Sequence, residues 1–267
     1  MKLLNRLLVA AAGALALAAP GLAAEKAKEP EAHTWSWEGP FGQYDQAELQ
    51  RGFQVYQQVC ASCHALEYMS FRNLGEEGGP FFDPEYPNPN DNPVVRAIAA
   101  DYMIVDGPDE FGEMFEREGR PADRFPSPFP NENAAAAANG GAVPPNLSLI
   151  VKARTGGAEY IRSLMLGYDY PVPEDVTVRP GQYYNPYFPG GVLAMPPQLM
   201  EGLVEYADGT EATPEQMAHD VTAFLAWAAE PHMEARKSLG FMVMIYLLIV
   251  CVLVWLAYRQ VWSRVHH

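Results

Sequence analysis

The chain has 267 residues, of which 33 are Asp or Glu and 18 are Lys or Arg, so its formal net charge at pH 7 is −15. All of the acidic residues lie between residues 25 and 238, where only 14 Lys and Arg oppose them. Because so acidic a surface repels nucleic acid, nucleic-acid binding is excluded as a function class. The same segment is long enough to form one domain with a substantial core.

Residues 1–24 have the pattern of a targeting segment. Lys2 and Arg6 precede an apolar, alanine-rich stretch that ends in small residues at Ala23 and Ala24. This pattern is typical of a cleaved secretory signal, whereas a mitochondrial transit peptide would contain more Arg and Ser. We therefore expect cleavage after Ala23 or Ala24 and export of the chain that follows.

The first helix of the exported part is predicted to begin at Asp45. Glu48 stands three residues later, as in a capping box, and an apolar stripe follows that includes Leu49 and Phe53. This helix ends at Cys60, so its apolar face can pack against whatever the cysteine binds.

The five residues C-A-S-C-H at 60–64 are the most informative motif of the chain. Cys-x-x-Cys-His is the spacing at which a c-type haem is attached covalently, through one thioether from each thiol. The next residue then supplies an imidazole to the iron, which makes His64 the proximal ligand. The motif therefore predicts one covalently attached haem c, held by Cys60 and Cys63.

Three other interpretations of this motif are weaker. A structural zinc site needs four ligands, but the third and last cysteine, Cys251, lies within a long apolar run. A thioredoxin-like redox pair would require a βαβ pattern and would not use His64. A structural disulfide between Cys60 and Cys63 is the main remaining alternative.

An acidic stretch from Glu76 to Glu118 follows the motif. It contains 12 Asp and Glu but only two basic residues, Arg96 and Arg117. It is either a docking face that steers a positively charged partner or a solvated surface that keeps an exported protein soluble. The residues alone leave both interpretations open.

The rest of the exported segment predicts an all-α domain of short helices and long loops. One helix runs from Gly157 to a stop at Gly167, another begins at Thr213 before Pro214, and a shorter one includes Leu199. Strand alternation is scarce. Three tracts rich in Pro, Gly and Asn read as loops, namely Gly75–Pro93, Glu118–Pro145 and Tyr170–Pro197. A large apolar cofactor is a suitable centre for such a domain.

The second axial ligand decides whether the iron is open to substrates. Met195 lies in a Gly- and Pro-rich loop, residues 190–197, where a side chain can be held toward iron outside any helical stripe. A thioether is a soft ligand that raises the reduction potential. Spacing alone does not separate Met195 from Met200, from Met103 or from a role in core packing.

The run Leu239–Tyr258 contains 20 residues without a charged side chain. At the α-helical rise it spans about 30 Å, which matches the hydrocarbon core of a bilayer. Trp and Tyr with basic residues flank it, as at a membrane interface. We predict a transmembrane anchor, with residues 25–238 outside the cytoplasm and a short cytoplasmic tail at residues 259–267.

Taken together, six motifs resemble the cytochrome c1 family, the haem-c subunits of cytochrome bc1 complexes, in its bacterial form. They are C-A-S-C-H-A-L at Cys60–Leu66, P-P-N-L-S at Pro144–Ser148, A-R-T-G-G-A-E-Y at Ala153–Tyr160, N-P-Y-F-P-G at Asn185–Gly190, A-M-P-P at Ala194–Pro197 and F-L-A-W-A-A-E-P at Phe224–Pro231. A-M-P-P is shorter than the A-M-A-P-P of mitochondrial relatives, and the extra cysteine pair of some bacterial members is missing.

The resemblance implies a cytochrome c-like fold in which His64 and Met195 ligate the haem iron, with Arg154 and Tyr160 near a haem propionate. It further implies an electron carrier without catalytic residues of its own, within a quinol:cytochrome c oxidoreductase of a respiratory or photosynthetic chain. Its partners would be cytochrome b, the Rieske iron–sulfur protein, and a soluble or tethered c-type cytochrome docking at Glu76–Glu118. The location would be the bacterial inner membrane, with the haem domain in the periplasm.

Two alternatives stay open from the sequence. One is another membrane-tethered electron-transfer cytochrome, such as a free carrier or an oxidase subunit. The other is a haem enzyme or gas sensor with an open sixth position.

Overall fold

A computed structural model of the chain describes residues 27–264. The predicted signal at residues 1–24 lies outside the described residues. The chain divides into two compact units. The larger unit comprises Pro30–Leu166 and Pro197–His267, described as far as residue 264, and the smaller unit comprises residues 27–29 and Gly167–Pro196.

The larger unit is rich in helices. Its α-helices are α1 (Gln46–Val55), α2 (Pro93–Ala100), α3 (Glu132–Ala138), α4 (Gly157–Leu166), α5 (Pro214–Ala229) and α6 (Met233–Trp262). A π-helical turn, Tyr56–Cys60, follows α1, and short 3-10 helices span Phe71–Gly75 and Pro89–Asp91. The strands β1 (Met103–Asp106) and β2 (Phe115–Glu118) pair antiparallel.

The core of the larger unit forms where α1 crosses α5. Gly52 is buried in α1, and a Cβ at this position would lie 2.0 Å from the carbonyl oxygen of Asp220, so the two helix backbones touch there. Phe53 and Phe224 meet beside this crossing, with ring centroids 5.6 Å apart. A glycine within a helix costs stability, but here it permits a contact that no other residue would allow.

A charged group lies in this interface. The Asp220 carboxylate is fully buried, and Arg51 Nε and Nη2 donate to its two oxygens at 2.9 and 3.1 Å. Gln216 Nε2 donates to both oxygens as well. Because each carboxylate oxygen has more than one donor, the cost of desolvating the charge is offset.

The predicted helices at Asp45, Gly157 and Thr213 are confirmed as α1, α4 and α5. Asp45 caps α1 by accepting from the N–H groups of Ala47 and Glu48. The short helix predicted around Leu199 is wrong: Leu199 is buried, but the surrounding chain forms turns. Burial there comes from packing of a loop, which gives the same apolar signal as a helix face.

The described residues also contain small β-sheets, so the all-α prediction describes only the helix-rich part. In the β1–β2 hairpin, Met103 pairs with Glu118 and Val105 with Glu116. In the smaller unit, β3 (Tyr183–Tyr184) pairs with β4 (Val192–Leu193), after a 3-10 helix at Gly167–Asp169. Each strand has four residues or fewer, too short to give a clear alternation.

Helix α6 differs from the others because its apolar side chains are exposed. Its most apolar 18-residue window has a mean hydropathy of 2.8, and none of that window is buried. It is the one helix among residues 27–264 that is long and apolar enough to cross a membrane. It begins at Met233, six residues before the predicted span, so its first turns precede the apolar run in one continuous helix.

Candidate haem site

The motif residues lie on a tight turn at the end of α1. The helix first widens, because Ala61 N–H donates to the carbonyl of Tyr56 at 2.8 Å, five residues back. The N–H groups of Cys63 and His64 then both donate to the carbonyl of Cys60, at 3.1 and 2.9 Å. Single π-helical turns within α-helices are frequent at functional sites. This turn gathers two thiols and an imidazole in one place.

Both cysteines of the motif are free, and as whole residues they are partly exposed. The structure therefore has no disulfide between Cys60 and Cys63. Burial of the sulfur raises the pKa of Cys60 to about 12, with a smaller contribution from the neighbouring Cys63. Among residues 27–264 no cluster of three or more His, Cys, Asp or Glu could hold a metal ion, so the zinc alternative has no ligand set in this part of the chain.

The imidazole of His64 is oriented by a backbone carbonyl. Its Nδ1 lies 2.8 Å from the carbonyl oxygen of Pro145, and since a carbonyl only accepts, Nδ1 carries the proton and donates. Nε2 therefore keeps its lone pair for a metal. Desolvation lowers the pKa of His64, partly opposed by this hydrogen bond, so the neutral ligand form is favoured at pH 7.

A second chain segment, residues 144–148, holds the motif turn from one side. We call its contacts with residues 64–68 the brace. Besides the Pro145–His64 bond, the brace consists of Leu147 N–H to the Ala65 carbonyl (2.9 Å), Tyr68 N–H to Ser148 Oγ (3.1 Å) and Asn146 Nδ2 to Glu67 Oε2 (3.0 Å). Several directional bonds thus fix the backbone that carries the imidazole.

Sequence reasoning missed the brace. P-P-N-L-S was recognised as a family motif, but no role was assigned to Pro145 or Ser148. The carbonyl of Pro145 has no side-chain signature, so only the spatial approach of the two segments reveals it. Ser148 shows its role only once its burial is known, since a buried hydroxyl needs a hydrogen-bond partner.

Arg154 and Tyr160 lie near each other in the larger unit. Tyr160 is buried on α4, and burial raises its pKa, while the nearby positive charge of Arg154 opposes the rise. The Arg154 guanidinium is exposed and, among residues 27–264, donates only to the adjacent carbonyl of Ala153, at 3.2 Å. Its donors are thus available to an anionic group. The placement of Arg154 and Tyr160 beside a haem propionate stays a prediction.

Met195 belongs to the smaller unit, whereas the motif belongs to the larger one. Its backbone carbonyl accepts from the hydroxyl of Tyr168 at 3.0 Å, and its side chain is partly exposed. The two alternative methionines are more exposed, Met103 at 54% and Met200 at 60%. Ligation of iron by Met195 stays a prediction.

The acidic stretch is largely exposed, and most of its acids form no ion pair with residues 27–264. Within the described chain, its one ion pair joins Asp106 to Arg117, which also binds Asp123. These contacts lie at the base of the β1–β2 hairpin. Glu116 and Glu118 extend from the outer face of β2, on the same side as the exposed Val105.

Two thiols on one turn, an imidazole with a free Nε2 and a long apolar helix are the features of a membrane-anchored c-type haem protein, and the donor set fits haem c. The family model described as "Cytochrome C1 family" matches residues 35–265. The chain therefore belongs to the cytochrome c1 family, which comprises haem proteins of electron transport with haem c as cofactor.

Several curated proteins are similar to the chain. Cytochrome c1 of Rhodospirillum rubrum is 43% identical over 280 residues, which cover 99% of each chain. A mitochondrial cytochrome c1 heme protein of Arabidopsis thaliana is 48% identical, over 90% of this chain and 74% of that protein. Cytochrome b/c1 of Bradyrhizobium diazoefficiens is 49% identical over 96% of this chain, which spans only 39% of the length of that relative.

Proposed function

We propose that the chain is a membrane-anchored, mono-haem c-type cytochrome that accepts one electron from a Rieske iron–sulfur protein and passes it to a soluble c-type cytochrome. It does so as a subunit of a cytochrome bc1 complex, and it is no enzyme by itself. The observation that carries this proposal is the oriented imidazole: Nδ1 of His64 donates to the Pro145 carbonyl, beside two free thiols.

Cys60 and Cys63 would hold the haem through thioethers, and Nε2 of His64 would ligate its iron. Met195 would supply the second ligand to the iron, and Arg154 and Tyr160 would lie near a propionate. When bound, haem c supplies one-electron chemistry between ferric and ferrous iron. The role of the protein would be to fix the ligands. Because the brace holds the His64 imidazole in one orientation, little structural reorganisation would accompany a change in the charge of the iron.

This pair of ligands would favour electron transfer over substrate chemistry. If His64 and Met195 both held the iron, no coordination position would be left for a substrate or a gas, and the soft thioether would stabilise the reduced state. The neutral form of His64, favoured by its lowered pKa, suits this role as well.

The exposed acids support a docking role for Glu76–Glu118. Their excess negative charge would steer a positively charged cytochrome and raise its association rate. Arg117, the basic residue of the hairpin, is occupied by Asp106 and Asp123, so it leaves the outer carboxylates of β2 unneutralised. Cytochrome b and the Rieske protein would be the permanent neighbours in the complex.

We further propose the domain order given by the sequence: a cleaved signal at 1–24, a periplasmic cytochrome c-like haem domain at 25–238, an anchor at 239–258 and a cytoplasmic tail at 259–267. The location is the bacterial inner membrane. The exposed apolar surface of α6 supports the anchor, since a soluble domain would not expose so long an apolar helix.

Purification of the full-length chain from its native membrane tests the assignment. We expect it to be recovered with a b-type cytochrome and an iron–sulfur protein, together with quinol-dependent reduction of an added soluble cytochrome. Recovery with copper-containing subunits, or of the chain alone under mild detergent, would contradict the assignment and favour another tethered cytochrome.

A further inference from the structure

A tight loop precedes α1 and lies beside the start of α6. We call residues 35–44 the collar. A Cβ at Gly42 would lie 2.0 Å from the carbonyl oxygen of Glu38, so the chain doubles back on itself there. At one end of the loop, Trp35 is buried and its indole N–H donates to Glu159. The collar is thus fixed to the helical core before it reaches α6.

Charged side chains on the first turns of α6 bind the collar backbone. Lys237 Nζ donates to the carbonyl oxygens of Trp37 and Gly42, at 2.6 and 3.0 Å. Glu234 Oε1 accepts the N–H of Tyr44 at 2.8 Å. A lysine at the end of a membrane helix commonly extends to water or lipid phosphates. Here its ammonium group is instead held by two carbonyls, which joins the helix rigidly to the domain.

The tip of the collar exposes an aromatic ring. Phe41 is 75% exposed, and its ring meets that of Phe241 edge to face, with centroids 5.7 Å apart. The apolar run of α6 begins at Leu239. Phe241 is therefore only about 3 Å further along the helix, at a rise of 1.5 Å per residue.

The position of this aromatic pair indicates a lipid surface as the partner of Phe41. A 20-residue apolar run is just long enough for the hydrocarbon core, so its first residues lie at the boundary with the headgroups. A single exposed Phe in water needs no explanation. Phe41, however, continues the exposed apolar surface of α6 at the depth where aromatic residues are enriched in membrane proteins.

We propose that the collar is a lipid-contacting foot of the domain: Phe41 inserts between lipid headgroups beside the entry point of α6, while Lys237 and Glu234 lock the collar to the helix. Together they fix the tilt and height of the domain above the bilayer. This inference rests on the proposed anchor, since without a spanning α6 no membrane lies at Phe41.

Spin labels on the full-length chain in its complex, reconstituted into phospholipid nanodiscs, test the proposal. The background carries Cys251→Ser, and the haem occupies the other two thiols and is kept reduced. Single labels replace Phe41, Leu248 in the middle of α6, or Glu110 on the exposed hairpin. Collision with oxygen, which partitions into lipid, is compared with collision with a water-soluble nickel chelate.

We expect several-fold more oxygen than nickel collision at positions 41 and 248, and the reverse at position 110. If the label at position 248 is exposed to lipid but the label at position 41 is exposed to water, the proposed lipid contact of the collar is wrong while the proposed anchor stands. A water-exposed 248 would overturn the anchor and the foot together. A label at 41 that neither reagent reaches would show that another subunit covers the collar, which also contradicts the proposal.

A second comparison keeps the label away from the ring. With the label at Pro40, Phe41→Ser is compared with Gln43→Ser, which alters an exposed polar residue of the same loop. We expect Phe41→Ser to reduce oxygen collision at position 40 several-fold and Gln43→Ser to leave it unchanged. Equal values in the two variants would mean that the ring does not hold the loop at the membrane.

Discussion

The brace and the β1–β2 hairpin show two different ways in which this chain positions chemical groups. In the brace, backbone and buried polar groups form directional bonds around His64, including a buried Ser148. In the hairpin, the outer face of β2 carries Glu116 and Glu118 without any ion-pair partner in the described chain. The difference suits the two proposed roles: a ligand to iron would have to be held in one orientation, whereas a docking charge would act over a distance.

The largest expected effect concerns the motif within the brace. Replacing both Cys60 and Cys63 by Ala removes the two thioethers, so we expect no haem to remain on the chain in a denaturing gel stained for haem. Cys251→Ala is the matched control and should keep full staining. Haem staining that survives the double replacement would contradict covalent attachment at this turn.

The brace itself is tested by Ser148→Ala. The change removes the hydrogen bond that the Tyr68 N–H donates to Ser148 Oγ, and such a bond contributes about 0.5–1.5 kcal/mol to the free energy of unfolding. Chemical unfolding measures this contribution. The exposed Ser62, changed to Ala, serves as the control and should lie within about 0.5 kcal/mol of the wild type. Equal effects at the two serines would show that the Ser148 hydroxyl of the brace adds no more stability than the exposed hydroxyl of Ser62.

For the hairpin we expect an effect on rate and none on stability. Glu116→Gln with Glu118→Gln should lower the rate of electron transfer to a basic cytochrome by roughly threefold to tenfold at low ionic strength, because steering can raise association by ~10–10³-fold. The control, Glu201→Gln with Glu211→Gln, removes the same charge from outside the acidic stretch.

Salt provides the complementary measurement. Since exposed charges are screened over about 10 Å at 0.1 M salt, the difference between the two double variants should vanish as salt rises. A rate that does not depend on salt, or equal rates in both variants, would leave Glu76–Glu118 as a solvated surface.

The smallest expected effect is the response of the hairpin base to acid. Hydrogen bonds from Arg117 lower the pKa values of Asp106 and Asp123. Lowered values mean that the ion pairs contribute stability above the ordinary Asp pKa of about 3.9, and that this contribution is lost as the pH falls through the lower folded values. Arg117→Gln removes it at every pH.

Hydrogen exchange, corrected for the intrinsic effect of pH, measures this response. In the wild type, protection of the hairpin amides should decrease at pH values lower than about 4. In Arg117→Gln, their protection should be weak at every pH. Protection of Leu147, whose N–H bonds the Ala65 carbonyl in the brace, should not follow the same curve. If amide protection decreased in the same way in the hairpin and in the brace, the two regions would not differ in their response to acid.

The features predictable from the sequence are those that depend on local chemistry. The cap at Asp45, Pro214 at the first position of α5 and the Cys-x-x-Cys-His spacing each act within a few residues, and the structure has helices α1 and α5 where predicted. The features that were missed depend on contacts between distant segments. The Pro145 carbonyl binds His64, which lies 81 residues away in the sequence. Gly52 is required only because the backbone of α5 packs directly against it.

The hairpin lies between these cases. Its Asp106-Gly107 turn signal was present in the sequence, but F-E-R-E at 115–118 has no apolar alternation, and four-residue strands give too weak a pattern to stand out from an acidic loop. The helix predicted around Leu199 failed for the opposite reason, because apolar spacing without a cap signal was taken as sufficient.

The central claim is that His64 and Met195 close the iron of a bound haem c for electron transfer. Spectroelectrochemistry of Met195→Leu beside Met200→Leu tests it most directly. We predict that Met195→Leu abolishes the methionine-to-iron band of the oxidised protein and lowers its reduction potential by on the order of 0.1 V or more, within the ~0.8 V that axial ligands span. Met200→Leu should change neither. An unchanged band and potential in Met195→Leu would contradict the account.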